Sequence, residues 1–192
     1  MSAPTLSALL ASAFGVGGST KSGLTVTSET ALQVPVVMAC VRVIAEGVSQ
    51  VPFRVMRESP DGKVRLPAKD HPLYDILHRK PNRWQTSYSL RETMVMHAVL
   101  TGNAYAFISR VGRNASIHEL IVIPPGKVRT EISDSGDMTY IVTGRNGEQR
   151  KLSSDDIWHL RGPSWDGSVG MQIVSYAREA IGLAMASEET QA

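Results

Sequence analysis

The stretch that most constrains the fold of this chain is Thr86–Arg110, where a helix, a stop signal and a strand follow one another without a break. Thr86 is a suitable N-cap, because its hydroxyl can accept a hydrogen bond from an unpaired amide of the first helical turn. Apolar residues then recur at helical spacing up to Gly102, which stands where a helix ends in the left-handed conformation. From Ala104 the apolar period changes to two, which predicts a strand. We therefore expect the helix and the strand to share one core.

Two further helices are predicted on either side of this stretch. The first runs from about Pro35 to Ser49, since proline is tolerated in a first helical turn and apolar residues recur after it. Its predicted buried stripe consists of Val37, Cys40, Val41, Ile44 and Val48. Cys40 is the single cysteine, so it is expected to be a buried structural thiol that forms no internal disulfide. The last helix is predicted to start near Met171. Its predicted apolar stripe consists of Val174, Ala177, Ile181, Ala184 and Met185.

Turn signals divide the rest of the chain into short strands. A hairpin is predicted around Ser59–Gly62, and a short helix is predicted after His71. Beyond Arg110 the turns recur at short intervals with no helix between strands, which predicts an antiparallel meander rather than a parallel nucleotide-binding sheet. Asp134–Asp137 is interpreted as a hairpin tip, because the twelve-residue calcium-loop pattern with its terminal glutamate is absent. The predicted fold class is α+β, with antiparallel strands and hairpins packed with several helices.

Composition suggests a division into two parts. Residues 1–29 are rich in serine, alanine, glycine and threonine and almost uncharged, so they are expected to form a flexible N-terminal segment. Residues 30–192 are expected to form one α+β domain. The last predicted helix reaches Ala192 without a glycine or proline stop, which indicates a truncated chain. A membrane-spanning helix would need about 20 consecutive apolar residues, and the sequence contains no such run, so no membrane partner is predicted.

The net charge of +2 conceals an uneven distribution. Residues 52–91 hold nine lysines and arginines against four acidic residues, a balance of +5. Residues 131–192 hold five against ten, a balance of −5. Such blocks are either ordinary solvated surface, or face each other within the fold, or attract a neighbouring copy. The last alternative would suit a ring, because head-to-tail contacts use two different patches of each subunit.

Two groups of residues are candidates for a functional site. Arg79, Lys80 and Arg83 surround Pro81-Asn82 and lie beside an aromatic residue, Trp84. This arrangement can hold a nucleic-acid backbone but is also common on ordinary loops. Arg79, Lys80 and Arg83 are the candidate nucleic-acid contacts.

The second group is Asp155, Asp156 and His159, the nearest approach to a catalytic cluster, although a turn leading into a strand explains them equally well. None of the five histidines is paired at ligand spacing, and the common hydrolase, metalloprotease and nucleotide-binding motifs are absent. The sequence therefore predicts no enzyme activity, no cofactor and no metal.

Four segments carry a resemblance to a known family. The run LRETMVMHAVLTGNAYAFISR at Leu90–Arg110 resembles the helix–Gly-Asn-Ala-Tyr–strand segment of bacteriophage portal proteins, specifically the HK97-type family. Other segments resemble successive segments of that family in the same order: Pro35–Val55, Asp70–Asn82, and Asp155–Gly162 followed by the helix at Arg178–Glu189. The resemblance extends from about Thr30 to the C-terminus.

The resemblance implies a structural role. It implies that residues 30–192 are the outer, wing-like domain of a portal subunit, whose stem, clip and crown regions are absent here. The implied partners are other copies in a ring of commonly twelve, the capsid protein, terminase and head-completion proteins, and double-stranded DNA bound without sequence specificity. The implied location is one vertex of the virion capsid, and the host cytoplasm during assembly. Two alternatives stay open: a metal-dependent nuclease or hydrolase built on Asp155, Asp156 and His159, and a monomeric DNA-binding module centred on Arg79, Lys80 and Arg83.

Overall fold

The computed structural model describes residues 18–20, 25–112, 115–133 and 136–191, and it combines helices with antiparallel strands. The helices are α1 (Ser28–Ala31), α2 (Pro35–Ser49), α3 (Pro72–His78), α4 (Ser87–Thr101), α5 (Ile173–Tyr176) and α6 (Arg178–Gln191). The strands are β1 (Gly18–Ser19), β2 (Thr25–Val26), β3 (Met56–Glu58), β4 (Arg65–Pro67), β5 (Asn103–Val111), β6 (Ser116–Ile123), β7 (Val128–Ile132), β8 (Met138–Thr143), β9 (Gln149–Ser153) and β10 (Ile157–Arg161). Short 3₁₀ turns precede β7 and β10. The predicted α+β class is confirmed.

The strands form two hairpin-like pairs and two three-stranded sheets, and every described pairing is antiparallel. The pairs are β1–β2 and β3–β4, and the larger sheets have the orders β10–β5–β6 and β7–β8–β9. β5 is the central strand of its sheet, so that Tyr105 lies opposite Ile123 on β6 and opposite His159 on β10. The predicted meander is confirmed for β7–β8–β9, whereas β10 crosses over to pair with β5.

The segment that begins with α4 is built as its sequence predicts. The Thr86 hydroxyl accepts a hydrogen bond from the Ser89 amide at 3.1 Å, and α4 ends at Gly102 with φ of 77°. Leu90 and Met94 of the helix are each 1% exposed. They pack in one cluster with Ala104, Ala106, Leu120 and Ile76, so the helix and the strand after it share a core.

A second apolar cluster joins the N-terminal and C-terminal helices to α4. Its buried members are Val26, Ala31, Val34, Val41, Leu100, Val174 and Ile181. Ala177, Ala184 and Met185 pack against it, so the predicted apolar stripe of the last helix is confirmed. The last helix itself is divided into α5 and α6 at Ala177. A third, smaller cluster of Tyr105, Tyr140 and Ile157 lies between the two three-stranded sheets.

The bounds of α2 match the prediction. Its predicted buried stripe is correct for Val41, which is buried, and for Val37, which packs against the second cluster, but wrong for the other three residues. The buried residues are Val41, Ala45 and Ser49, whereas Cys40 is exposed and Ile44 is 47% exposed. Val48 is likewise 43% exposed. The physical reason is that α2 is apolar on nearly every side, so hydrophobicity alone does not orient it, while the small residues Ala45 and Ser49 allow α2 to approach α4 closely.

Part of the segment expected to be flexible belongs to the folded body. Thr25 and Val26 pair with β1, Val26 is only 2% exposed, and Thr27 caps α1 through a reciprocal capping box with Thr30. One buried valine and one cap are too few residues to show in a composition. Residues 1–17 and 21–24 of that segment lie outside the described residues. The division between residues 29 and 30 stays a prediction, and it falls inside α1.

Two further expectations concern a loop and the membrane. The Ser133 amide donates to the Asp137 carbonyl oxygen at 3.0 Å between β7 and β8, as expected for a hairpin, although Asp134 and Ser135 lie outside the described residues. Within the described part of the chain, no helix is long and apolar enough to cross a membrane.

Candidate nucleic-acid interface

The turn between α3 and α4 is anchored by one buried amide, Asn82, which is 4% exposed. Its Nδ2 donates to the Leu120 carbonyl oxygen at 2.8 Å and to Gln85 Oε1 at 2.9 Å. Its Oδ1 accepts from the backbone amides of Trp84 at 3.1 Å and Gln85 at 2.8 Å. The Leu120 amide donates back to the Pro81 carbonyl oxygen at 2.9 Å. Because the amide group uses both its donors and its acceptor, the turn is held rigidly on β6.

This turn presents the three predicted cations to solvent. Arg79 lies 3.9 Å from Asp75 and Arg83 lies 3.8 Å from Glu119, and the two arginine side chains are 75% and 87% exposed. Lys80 is also exposed. Ion pairs this long and this exposed contribute little free energy, so both guanidinium groups are free to exchange partners. The structure thus brings Arg79, Lys80 and Arg83 together on one rigid turn.

An exposed aromatic ring completes this surface. Trp84 is 66% exposed, while its backbone is fixed by the buried amide of Asn82. A cationic surface beside an exposed ring can contact phosphates and can stack on a base or a sugar, and neither contact depends on sequence. The nucleic-acid contact itself stays a prediction.

The acidic candidates Asp155 and Asp156 both contact Arg110, Asp156 through its carboxylate and Asp155 through its backbone carbonyl oxygen. Arg110 Nη1 lies 3.2 Å from Asp156 Oδ1, and the same guanidinium donates to the Asp155 carbonyl oxygen at 3.0 and 2.9 Å. The Ser153 hydroxyl donates to the second oxygen of Asp156 at 3.1 Å. Since one carboxylate is neutralised by an arginine, these residues tie β5 to the turn before β10. Among the described residues, no group of three His, Cys, Asp or Glu side chains could hold a metal ion.

His159 belongs to the apolar cluster between the two sheets and not to an acidic site. Its Nε2 lies 3.0 Å from Asn103 Oδ1, its Nδ1 lies 3.2 Å from the Tyr140 hydroxyl, and its ring centroid lies 4.4 Å from that of Tyr105. Asn103 Oδ1 also accepts from the Gly170 amide at 2.7 Å, so this atom is an acceptor. His159 Nε2 therefore carries the proton, and the unprotonated Nδ1 faces the Tyr140 hydroxyl.

Burial makes the stability of this cluster sensitive to pH. Desolvation, with a smaller contribution from the Arg161 charge, lowers the pKa of His159 from its ordinary value of 6.5 to about 4. Because the unfolded chain binds more protons between these values, the contribution of His159 to stability is fully present above pH 6.5 and is lost as the pH falls toward 4. We expect His159→Gln to weaken the dependence of the urea midpoint on pH in this window.

Two other histidines matter for that experiment, one because it also contributes to the pH dependence and one because it is the control. Burial also lowers the pKa of His97, so the His159→Gln variant keeps part of the pH dependence. His118 is exposed on β6, and His118→Gln serves as the matched control. Equal loss of pH dependence in the His118 and His159 variants would contradict a special role for His159.

Asn103 also links the end of α4 to the loop at residues 162–172. It is 6% exposed, and its Nδ2 donates to the Gly170 carbonyl oxygen at 3.0 Å, in addition to the bond that its Oδ1 accepts from the Gly170 amide. The Gly162 amide donates to the Gly102 carbonyl oxygen at 2.8 Å. Sequence reasoning missed this link, although the adjacent Gly-Asn pair at a helix end was the available signal. In the Gly-Asn-Ala-Tyr run, Gly102 and Asn103 therefore hold this loop against the end of α4.

Known proteins match this chain over most of its length. The family model described as phage portal protein matches residues 35–192. The portal protein of Enterobacteria phage HK97 is 26% identical over 166 residues, which is 86% of this chain and 38% of that protein. The protein BeeE of Escherichia coli K12 is 31% identical over 124 residues, 65% of this chain and 76% of that protein. The chain thus spans well under half of the HK97 portal protein.

A solved structure shares the fold. In the neck of an empty gene transfer agent particle, computed with C6 symmetry, one chain superposes with a TM-score of 0.69 at 23% identity, over 85% of this chain and 44% of that one. This likeness confirms the predicted portal-like α+β fold. The family match covers residues 35–192, so the chain belongs to the phage portal protein family, and its predicted resemblance to the HK97-type members is confirmed.

Proposed function

We propose that this chain is the wing-like part of a portal subunit, twelve copies of which form the ring at one capsid vertex through which double-stranded DNA is packaged and ejected. The observation that carries the proposal is the match to the portal family over residues 35–192, which takes in nearly all of the described fold. In this role the protein is a conduit and an assembly hub without turnover of its own. Its place is the virion vertex, and the host cytoplasm during assembly.

The remaining partners follow from the same proposal. Since the chain spans 38% of the HK97 portal protein, the channel lining and the contacts with capsid protein, terminase and head-completion proteins are assigned to the whole subunit. The pairing of Asp156 with Arg110 and the position of His159 between two sheets favour this structural role over a nuclease.

A chimera tests the proposal. Residues 25–192, which include the buried Val26, Ala31 and Val34 of the second apolar cluster, would replace the corresponding segment of the HK97 portal protein. The unmodified protein is the reference, and both would be imaged by negative-stain electron microscopy. We expect annular particles of the same rotational symmetry from both proteins. Rings from the reference alone, with a chimera that is folded by circular dichroism but monomeric, would contradict the proposal.

A second function, favoured by the geometry of the α3–α4 turn, is non-specific contact with double-stranded DNA. Arg79, Lys80 and Arg83 lie exposed on the turn that the buried Asn82 anchors. The ion pairs that the structure describes for the two arginines are long and exposed. We propose that these three side chains contact phosphates. Such contacts position DNA without reading its sequence.

Neutralising the three cations together gives a specific prediction. In the Arg79→Gln, Lys80→Gln, Arg83→Gln variant, the slope of log K against log salt for a DNA duplex is expected to become less negative by about 2.7, because each phosphate contact contributes about −0.9. Fluorescence anisotropy at several salt concentrations measures the slope. The control variant removes equal charge from the exposed residues Arg145, Arg150 and Lys151. An equal change of slope in both variants would contradict a specific role for the turn.

A further inference from the structure

Strand β10 lies at one edge of the sheet β10–β5–β6. It pairs with β5 on one side, and no described strand pairs with it on the other side. The outer side of an edge strand presents backbone donors and acceptors to which a further extended segment can bind. The register of β10 with β5 determines which residues present them.

One hydrogen bond just beyond β10 fixes the pattern. Arg161 lies opposite Asn103, so the next residue, Gly162, lies opposite Gly102. The Gly162 amide donates to the Gly102 carbonyl oxygen at 2.8 Å. In an antiparallel pair, opposed residues that hydrogen-bond to each other alternate with opposed residues whose amide and carbonyl groups point away from the partner strand. The two kinds of residue therefore alternate backward from Gly162 along β10.

His159 and Arg161 of β10 direct their backbone groups outward by this alternation. Leu160 and Trp158 direct theirs to β5. No described group of the chain forms a hydrogen bond with the outward backbone amide or carbonyl oxygen of His159 or Arg161. Residues two positions apart in a strand are separated by about 6.8 Å, which is the repeat at which an antiparallel partner strand supplies its own donors and acceptors.

The opposite edge of the same sheet follows the alternation and is covered. Leu120 on β6 lies opposite Ile108 on β5, and the alternation predicts outward backbone groups for it. The Leu120 amide donates to the Pro81 carbonyl oxygen, and the Leu120 carbonyl oxygen accepts from Asn82. The α3–α4 turn thus occupies on β6 the kind of backbone groups that β10 leaves open.

Charged side chains protect the edges of the other three-stranded sheet. Arg150 and Lys151 are exposed on β9, and Arg129 and Glu131 on β7 lie 3.3 Å apart. Charges on an edge strand disfavour the addition of another strand. The first four residues of β10, in contrast, include no aspartate, glutamate, lysine or arginine. β10 therefore lacks the protection that the other three edges have.

A groove beside β10 has room for the side chains of an added strand. Its volume is about 510 Å³. Trp158 and Ile108 line it on the side of α4, and Met138 and Tyr140 line it on the side of β8. A smaller recess of about 170 Å³ continues past Leu160, between α4 and α5. Since successive residues of a strand point to opposite faces, alternate side chains of an added strand would enter the apolar side next to α4.

Shape and charge define the segment that fits this groove. A single extended segment can enter between the two walls, whereas the β10 edge of a second folded copy would bring its own walls with it. At the end of the groove Arg161 is exposed and donates to the Gly167 carbonyl oxygen. Arg161 forms no ion pair with any described residue. A carboxylate on the added segment, opposite Arg161, is therefore electrostatically complementary.

From these observations we propose that β10 binds an extended segment of a partner protein as an additional antiparallel strand. The segment pairs its backbone with His159 and Arg161, points apolar side chains toward Trp158 and Leu160, and places a carboxylate opposite Arg161. Residues 1–17 of this chain contain neither aspartate nor glutamate, so a segment of another protein fits this description better. The inference goes beyond the proposed ring and DNA contacts and depends on neither of them.

Amide exchange with solvent, measured by nuclear magnetic resonance, tests the inference directly. The probe is the acetylated and amidated peptide Glu-Val-Thr-Val-Thr, whose glutamate comes opposite Arg161 when the peptide adds antiparallel to β10. With about 1 mM peptide and a dissociation constant of about 0.1 mM, we expect exchange of the His159 and Arg161 amides to slow about tenfold. The Trp158 and Leu160 amides already bond to β5, so their exchange should change little.

Two matched peptides separate backbone pairing from other contacts. The first carries N-methyl groups on both threonines, whose amides would point to β10, so it keeps the side chains but cannot pair; we expect it to give no protection. The second has glutamine in place of glutamate and should bind about threefold more weakly, the size of effect expected for an exposed ion pair. Equal protection by the N-methylated peptide would overturn the addition of a strand.

A pair of arginine substitutions tests the charge in the protein itself. Arg161→Gln should weaken binding of the glutamate peptide about threefold and leave binding of the glutamine peptide unchanged. Arg145→Gln removes an equal charge from an exposed position outside the groove, and it should change neither affinity. Equal losses in the two variants would overturn the role of Arg161.

Three further outcomes would each overturn the inference. Slow exchange of the His159 and Arg161 amides without peptide, at every protein concentration, would mean that another part of the same chain covers β10. Slow exchange that develops only as the protein concentration rises would mean that a second copy covers it. Unchanged exchange with about 1 mM of the glutamate peptide would mean that β10 accepts no strand. None of these outcomes bears on the proposed ring function, which the chimera decides separately.

Discussion

Gly102→Ala is expected to destabilise the fold by about 4 kcal/mol, the size of effect that combines a backbone clash with a strained conformation. Gly102 has φ of +77°, and a Cβ atom there would lie 2.0 Å from the Met171 carbonyl oxygen and 2.8 Å from the Gly170 carbonyl carbon. Both contacts are with backbone, so no side chain can move aside. Either the loop at residues 162–172 or the end of α4 would have to shift. Urea unfolding followed by circular dichroism measures the loss.

Gly62→Ala is the matched control for this prediction. Gly62 also has positive φ, +68°, but a Cβ atom there would meet nothing within 4 Å. Only the conformational cost remains, so the expected loss is about 1 kcal/mol. If the two variants lost equal stability, the close approach of the loop to Gly102 would not be the reason for the glycine.

Arg91→Ala is expected to cost about 3 kcal/mol, because it removes charged hydrogen bonds from buried partners. Arg91 is 7% exposed, and its Nη2 and Nε donate to the Ser49 carbonyl oxygen at 2.8 and 3.2 Å. It also donates to the Ser87 hydroxyl and lies 5.3 Å from the centre of the Phe53 ring. Since Ser49 is the last residue of α2, the guanidinium satisfies a helix C-terminus and complements its dipole.

Two comparisons separate this role from a general effect of charge. Arg91→Lys keeps the charge but not the forked donors, so an intermediate loss is expected. Arg42→Ala breaks the exposed pair with Glu46, which should change stability by only about 0.5 kcal/mol. Chemical denaturation of the three variants measures these losses. A loss for Arg91→Ala no greater than that for Arg42→Ala would contradict the role of Arg91 as a cap of α2.

How far the sequence predicts the fold depends on how local each signal is. Thr86 caps the first turn of α4 and Gly102 ends its last turn, and both interactions are local in sequence. The ends of α4 are therefore predictable from the sequence. The buried face of α2 is not predictable in this way, because apolar residues lie on nearly every side of the helix and only docking on α4 selects Val41, Ala45 and Ser49. Arg91 likewise contacts Ser49 across 42 positions of sequence, a distance that no local pattern reveals.

The candidate site follows the same rule. The cluster of Arg79, Lys80 and Arg83 is visible as composition, whereas its rigidity comes from the hydrogen bond between Asn82 and Leu120, 38 positions apart. Closeness in sequence groups His159 with Asp155 and Asp156. In the structure the pairing of β10 with β5 turns His159 toward Tyr105, while Arg110 holds Asp156.

The most direct test of the central claim, that this chain is the wing-like part of a ring-forming portal subunit, is the solution mass of the HK97 chimera that carries it. Multi-angle light scattering after size exclusion would compare the chimera with the unmodified HK97 portal protein at the same protein and salt concentrations. The account predicts that both proteins form closed rings with the same number of subunits. A chimera that is folded by circular dichroism but stays monomeric, while the unmodified protein forms rings, would contradict it.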